Sequence, residues 1–572
     1  SMMKTYSVAK AASKGIVMGK AFLVEPLDLT ADSRSIKDSE KEMEWLKFQS
    51  AVKEAVDALR ILAKDSDIFA AHLDVAEDTV LHDSVELKIN SENKNAQLAL
   101  EETVAEIVTM FESLDDEYLR ERAADIKDVG KRIMCGLKGI KTNPFEGVTE
   151  DVIVVAEDLA PSDTANMDFR YIKGFITEAG GVTSHVAIMA RSLEIPAFVG
   201  VSDFRKNVTE NDYIILDAVG KEILVNPDEE TKATYRKKAE AYRAIKAELE
   251  TMNNLPATTT DGRTVELFAN VGSIVDVDNA VARGAEGIGL FRSEFLYMEN
   301  TKFPTEQEQF DAYKKAVETM KHPVIIRTLD IGGDKALSYY QFDAEENPFL
   351  GWRAIRISLD LKDVFKTQLK AILRASAYGD VRIMYPMIIS VDEFLAANEI
   401  LKECKEELRR DNIPFNDSIQ TGIMIETPAA VMCAEDLAKV VDFFSIGTND
   451  LTQYVLAVDR GNQKIARLYN SFHPAVLRAI RTVIQAGHKY DKMVGMCGEF
   501  ASDEKAVPIL LGMGLNEFSM TASEIAATRY QIRHLSYERC QALAEEICKK
   551  STIAEVREIL ENMEKANSVA VE

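Results

Sequence analysis

From about residue 260 onward the chain repeats one unit, a short apolar run followed by a stretch with helical spacing. The apolar runs fall at 265–270, 287–291, 324–329, 382–387, 422–426, 443–447, 493–497 and 516–520. Eight strand-then-helix units over roughly 310 residues predict a (β/α)8 barrel, with a doubly wound open sheet as the alternative. A barrel enzyme keeps its reactive groups at the C-terminal ends of its strands, so the residues that follow each apolar run are the ones to inspect.

Five runs end in polar residues that belong together chemically. Gly287–Phe291 runs into Arg292, and Val324–Ile326 into Arg327 and then Asp330. Gly422–Ile425 ends in Glu426, Phe443–Thr448 in Asn449 and Asp450, and Met493–Met496 in Cys497. Singly, each has an ordinary explanation. An Arg after a strand is usually a surface or ion-pair residue, an acid there is often a first-turn charge, and a lone Cys is often an inert buried hydrophobe. Five endings on one rim point instead to a site. Two Arg make a fork-shaped clamp for phosphate and carboxylate oxygens. Glu426 and Asp450 offer hard oxygens to one Mg2+, which favours a phosphate alongside. Cys497 can give or take a proton. The set suits a small, doubly anionic, phosphorylated acid.

The first half of the chain has a different texture. Residues 6–24 are short, apolar and Gly-punctuated, and predict one or two strands. From about 35 to 140 Pro and Gly nearly vanish. Val52, Ala55, Val56, Leu59 and Leu62 form one helical stripe; Leu119, Ala123, Ile126, Val129 and Ile133 form another. This predicts a bundle of about four helices. Strands return at Asp151–Val155, Gly174–Thr177 and Tyr213–Asp217. The expected organisation is therefore multidomain α/β. Residues 1–24 and 145–228 form an α/β domain, and 25–144 an all-α helical bundle inserted into it. Residues 229–260 form a helical linker, closed by Asn253-Asn254-Leu255-Pro256, and 261–572 the barrel.

Within the α/β domain, residues 178–191 read as the end of a strand, a Gly-rich turn and a helix start. His185 stands near that start, where a phosphorylated imidazole would be stabilised by the helix N-terminus. Thr183 and Ser184 are suited to cap the helix. A structural His is the commoner fate of a lone one, and the other six His residues have no comparable context.

A net charge of −26 argues against a nucleic-acid role, and any anionic substrate must be met by a local cluster of Arg. No run approaches the 18 apolar residues of a membrane span, and the first residues lack the apolar core of a signal peptide. The six Cys form no CxxC, which argues against zinc and disulfide frameworks and for a cytoplasmic chain with reduced thiols.

These residues resemble enzyme I of the phosphoenolpyruvate:sugar phosphotransferase system. The resemblance runs the full length. It rests on Gly180-Gly181-Val182-Thr183-Ser184-His185 and its helix, on 287–298 (GIGLFRSEFLYM), on 327–335 (RTLDIGGDK) and on 351–356 (GWRAIR). It continues through 425–428 (IETP), 447–454 (GTNDLTQY) and 495–499 (GMCGE). The resemblance implies that the barrel binds phosphoenolpyruvate and Mg2+, that His185 attacks phosphorus, and that Cys497 protonates the departing enolate at C3. By motif position Arg292, Arg327 and Arg460 would hold the phosphate, with Arg353 and Asn449 anchoring the substrate. The phosphoryl group would pass to a histidine of the small carrier HPr, docked on the helical insert. Residues 60–90 carry seven acidic and three basic side chains, which suits a positively charged partner. Phosphotransfer at both places would need a swivel, with 144–147 and 227–260 as hinges. The family also implies a homodimer through the barrel. Val182 stands where the family run commonly has Arg. The related pyruvate–phosphate dikinases and phosphoenolpyruvate synthases need a nucleotide-binding domain for which no segment has room. About five residues precede the first strand, too few for the sensor domain of the nitrogen-regulating variant. A non-catalytic, phosphoenolpyruvate-binding scaffold is the reading from another class.

Overall fold

A computed structural model describes residues 3–8, 11–64, 67–113, 117–159, 161–164, 167–180, 185–333, 335–459, 461–462 and 464–571. The chain divides into two compact units, 1–244 and 245–572.

The first unit opens with three strands, β1 (Lys4–Ser7), β2 (Ala11–Ser13) and β3 (Ile16–Leu23). The sequence predicted one or two. Gly15 divides β2 from β3 with φ of +143°, and a Cβ there would lie 2.5 Å from Pro196 Cγ, so the break needs glycine. Five helices follow: α1 (Lys41–Ala63), α2 (Asp67–Ala76), α3 (Thr79–Glu92), α4 (Ala96–Glu112) and α5 (Glu117–Lys138). The bundle was expected to have about four. Asp78 caps α3 by accepting the Val80 N–H, and left-handed Asn93 ends it. Asn95 caps α4 through the Leu98 N–H, so the chain folds back within three residues. The predicted stripes face the bundle core, with Val52, Ala55, Val56, Leu59, Ala123, Ile126, Val129 and Ile133 buried and Leu62 packed beside them, while the side chain of Leu119 lies outside what is described.

The chain then returns as β4 (Val152–Ala156), α6 (Pro161–Thr164), β5 (Ile172–Thr177), α7 (His185–Leu193), β6 (Ala197–Phe198), β7 (Tyr213–Asp217) and β8 (Glu222–Val225). The sheet order is β1-β8-β7-β3-β4-β5-β6-β2. Strands β3 to β6 run parallel, with Lys20 opposite Val152 and Val155 opposite Ile176. The strand that opens the unit pairs antiparallel with the one that closes it, Lys4 opposite Val225. Helix α8 (Glu229–Glu250) carries the boundary between the units.

The second unit starts with β9 (Ala257–Thr258), a short antiparallel partner of β10 (Thr264–Val271). Seven more strands follow: β11 (Ile288–Arg292), β12 (Val324–Arg327), β13 (Val381–Tyr385), β14 (Gln420–Ile425), β15 (Phe443–Ile446), β16 (Met493–Met496) and β17 (Glu517–Met520). Each pairs parallel with the next, and β10 pairs with both β11 and β17, so eight strands close into a ring. That closure is the predicted (β/α)8 barrel and not the open sheet. Alternate residues explain it. Val265, Leu267, Ala269, Ile383, Ile423, Phe444, Val494 and Phe518 face the helices in one large apolar cluster. Phe268, Leu290, Ile325, Met384, Met424, Phe443 and Cys497 fill the lumen. No helix among the described residues is long and apolar enough to cross a membrane.

Candidate active site

The barrel's C-terminal rim gathers cations. Arg292 and Arg327 end neighbouring strands and are register partners. Arg327 pairs with Glu294 at 3.0 Å and Asp330 at 3.2 Å. Arg353 reaches Asp330 and Asp450, each at 3.3 Å, and donates to the Tyr454 hydroxyl at 3.1 Å. Lys335 lies 3.9 Å from Glu294 and 4.0 Å from Asp330. Three of these cations, Arg327, Lys335 and Arg353, thus share Glu294, Asp330 and Asp450.

Local sequence sets these positions. Ser293 donates to the Arg327 carbonyl at 2.7 Å, and Gln368 ties Ser293 to the Leu329 N–H, locking the ends of β11 and β12 together. A Cβ on Gly332 would lie 2.6 Å from the Trp352 carbonyl oxygen and 2.8 Å from Arg353 Cβ, so glycine lets the two segments close on each other. Ala354, next to Arg353, adopts φ of +52° and ψ of −125°, a strained conformation held by its N–H bond to Ile331.

Charge sharing is uneven. Burial opposes the Arg327 charge, but Glu294 and Asp330 outweigh it and raise its pKa. Burial likewise opposes ionisation of Asp330, yet Arg327, Lys335 and Arg353 hold its carboxyl well below the usual range. Arg292 is the exception. Burial and then the neighbouring Arg327 lower its pKa, and among the described residues it makes no ion pair. Among the described residues its guanidinium is the rim arginine that lacks a direct carboxylate contact, the condition for holding an added anion.

Glu426 and Asp450 stand across from these cations. Glu426 is 1% exposed and accepts the Met387 N–H through Oε2 at 3.1 Å. Thr427 caps the next helix, accepting the Ala430 N–H and donating to the Ile388 carbonyl, which fixes the Glu426 backbone. Burial, then the Asp450 and Asp330 carboxylates, push the Glu426 pKa well above its ordinary value. Two mutually repelling carboxylates with hard oxygens fit a divalent cation. Among the described residues no preformed group of three or more His, Cys, Asp and Glu donors exists. Such a pair suits Mg2+, which keeps waters and takes substrate phosphate as further ligands. Asn449 begins the same helix turn as Asp450; its Oδ1 accepts the Glu499 N–H at 3.2 Å.

Cys497 follows β16 directly and is 3% exposed, its thiol 3.9 Å from the Ile446 carbonyl. Burial pushes the thiol up to about 11, while the Ser445 hydroxyl beside it pulls the other way. It is a protonated acid at neutral pH.

In the first unit, His185 is the first residue of α7. Val186, Ala187 and Ala190 anchor that helix in the sheet's apolar core. The turn before it passes through Gly180 at φ of +91°. Val182, Thr183, Ser184 and Arg460 lie outside the described residues. The structure therefore brings Arg292, Arg327, Glu426, Asn449, Asp450 and Cys497 to one rim from the strand ends, and Arg353, which the resemblance alone implied, reaches the same rim from the segment before the helix Ile355–Asp360. Sequence reasoning assigned no role to Glu294, Lys335 or Tyr454. Each sits inside a motif already noted, two to eight residues beyond a strand end, and that position was the available signal.

The family described as PEP-utilising enzyme, PEP-binding domain matches residues 246–537. The PEP-utilising N-terminal and mobile domains match 8–122 and 148–220. A protein of Bacillus sp. (strain S) named phosphoenolpyruvate-protein phosphotransferase is 48% identical over 556 residues, covering 96% of each chain. Proteins of the same name from Geobacillus stearothermophilus and Bacillus subtilis (strain 168) are each 48% identical. The first covers 96% of both chains, the second 95% of this chain and 97% of its own.

Proposed function

The chain belongs to the phosphoenolpyruvate-protein phosphotransferase family, and from that premise we propose that it moves the phosphoryl group of phosphoenolpyruvate to its own His185, releases pyruvate, and passes the group to a histidine of the carrier HPr. The observation that carries this reading is the rim itself, where a guanidinium without an ion pair among the described residues stands beside two paired ones, a carboxylate pair and a protonated thiol.

Arg292 and Arg327 clamp the phosphate, and Arg460 joins them by family analogy. Arg353 and Asn449 anchor the substrate. Positioning and fixed charge do most of the catalytic work in such a transfer, because the donors are aimed before charge develops. Glu426 and Asp450 would hold Mg2+, which would supply positive charge for the phosphate oxygens. His185 attacks phosphorus in line, the bridging P–O bond breaks, and its electrons leave on the enolate oxygen. Cys497 gives its proton to C3, and the enolate becomes pyruvate.

The α/β domain of residues 1–24 and 145–228 carries His185, and the insert of 25–144 docks HPr. Exposed Ile61, Val80 and Leu87 lie in or beside its acidic stretch, and offer apolar contact within a negative field. A swivel at 144–147 and 227–260 lets His185 serve both donor and acceptor. The working enzyme is cytoplasmic and dimerises through the barrel domain.

Incubation with radiolabelled phosphoenolpyruvate and Mg2+ tests the reading. The expected label is acid-labile, alkali-stable and absent from His185→Ala. A label that survives this substitution refutes it.

A further inference from the structure

Beneath the rim, the barrel lumen holds a carboxyl group that the reaction above leaves without a task. Glu517 begins β17, is 1% exposed and points inward among apolar side chains. Two glycines make its space. A Cβ on Gly495 would lie 1.9 Å from Glu517 Oε2, and one on Gly289 would lie 2.7 Å from Oε1 and 1.6 Å from Ser519 Oγ. Ser519 donates a hydrogen bond to the Glu517 carboxyl. A buried acid is costly unless it is neutral or paired, and no salt bridge to Glu517 exists among the described residues.

Its neighbours lead to Cys497. Gly495 is the register partner of both Glu517 on β17 and Ser445 on β15. The three stand at one level of the lumen, with the Glu517 carboxyl filling the space where a Gly495 side chain would be. Cys497 lies two residues along β16 on the same face. Ser445 is 1% exposed, lies close enough to lower the Cys497 pKa, and yet has no hydrogen-bond partner of ordinary geometry at Oγ. Ser519 is one step beyond Phe518, the partner of Met496, and so flanks Cys497 on the other side. On the solvent side, Glu266 is exposed and pairs in register with Glu517. The charged groups facing Glu517 are Glu266 on β10 and Arg382 on β13, with Cys497 above it.

We propose that Glu517 is a positioning residue for turnover, the internal acid that returns a proton to Cys497 after each protonation of the enolate. The proposal rests on the reading that Cys497 is the acid at C3. When the C3–H bond forms, the S–H bond of Cys497 breaks and leaves a thiolate. The Ser445 hydroxyl passes its proton to sulfur and takes one from the Glu517 carboxyl. Glu517 is then a carboxylate and takes a proton from water entering past Glu266. The direction is downhill, because burial pushes the Glu517 carboxyl to about 8 and the Cys497 thiol to about 11.

The test is rapid-quench measurement of pyruvate with phosphoenolpyruvate, Mg2+ and saturating HPr. Glu517→Gln should release the first pyruvate per subunit at the wild-type rate. Later turnovers should slow at least tenfold, giving a burst that wild type lacks at pH 7. Wild type should itself develop that burst at pH 9, where Glu517 has lost its proton, and this arm needs no variant. A purely structural role would slow the first and later turnovers equally, and that result overturns the proposal. So does wild type without a burst at pH 9. Cys497→Ala separates the two ideas. If it keeps full pyruvate formation, the parent reading of Cys497 has failed. If it is slow while Glu517→Gln turns over normally, this proposal alone has failed.

Discussion

Asp330→Asn keeps the side chain's shape and removes one charge from the centre of the rim. Its oxygens lie 3.2 Å from Arg327 and 3.3 Å from Arg353, and none of the three residues is more than 5% exposed. At an effective dielectric constant of about 20, unit charges at this separation attract by about 5 kcal/mol. Two such contacts amount to about 10 kcal/mol gross, of which the carboxylate's lost hydration cancels several. The remainder agrees with the ~3–5 kcal/mol lost when one member of a buried ion pair is removed. Glu294 still faces Arg327 in the variant, and Asp450 still faces Arg353. The loss should therefore fall near the low end, about 3 kcal/mol in the barrel unit. The chain has two Trp, at 45 in the insert and 352 in the barrel. Trp352 packs on Tyr340 and Phe342 near the affected cations. In a Trp45→Phe background, urea unfolding followed by fluorescence reports the barrel alone. Phosphoenolpyruvate with Mg2+ should restore more stability to the variant than to wild type, since it supplies the missing negative charge. A loss under about 1 kcal/mol at unchanged urea dependence would refute the ion-pair account.

Other outcomes follow from the same geometry. Gly332→Ala should displace Arg353, because its Cβ would meet backbone and φ is +96°; KM for phosphoenolpyruvate should rise while the Trp352 unfolding midpoint falls. Glu426→Gln and Asp450→Asn should each weaken the Mg2+ dependence of self-phosphorylation by at least about 10–100-fold, the cost of losing even an outer partner of a metal. The Glu517 carboxyl is raised in the folded state, so its contribution is fully present below the unfolded value and is lost as pH rises toward about 8. Wild type should thus lose stability relative to Glu517→Gln between pH 5 and 8, by a few kcal/mol at about 1.4 kcal/mol per pH unit. Calorimetric scans across that range would show it, and parallel curves would sink it.

The barrel was legible in sequence because strands buried on both faces are short apolar runs, and the rim was legible because five of the eight runs stop at a charged or polar residue that belongs to one chemistry. What escaped depends on neighbours. That Glu294 meets Arg327, and Lys335 both Glu294 and Asp330, follows from the pairing of β11 with β12 and from the fold-back through Gly332. Neither is visible in spacing. The insert's fifth helix was hidden because helical periodicity continues across the Asn93–Asn95 reversal. Glu517 was hidden differently: within 516–520 one acid among apolar residues gives no hint that it points into the lumen. At His185 the sequence supplied a helix start, and the structure agrees that α7 begins there.

The pairing of β1 with β8 also dictates a timetable. A ribosome adding about 5–20 residues per second needs on the order of 10–45 s to travel from Lys4 to Val225. For that interval the opening strand has no partner, while the helices of the insert, whose contacts are local, have time to fold. The nascent chain thus exposes an unsatisfied strand edge until its eighth strand emerges. Slowing translation between the insert and β8 should therefore raise aggregation of the first unit, whereas a pause after β8 should not.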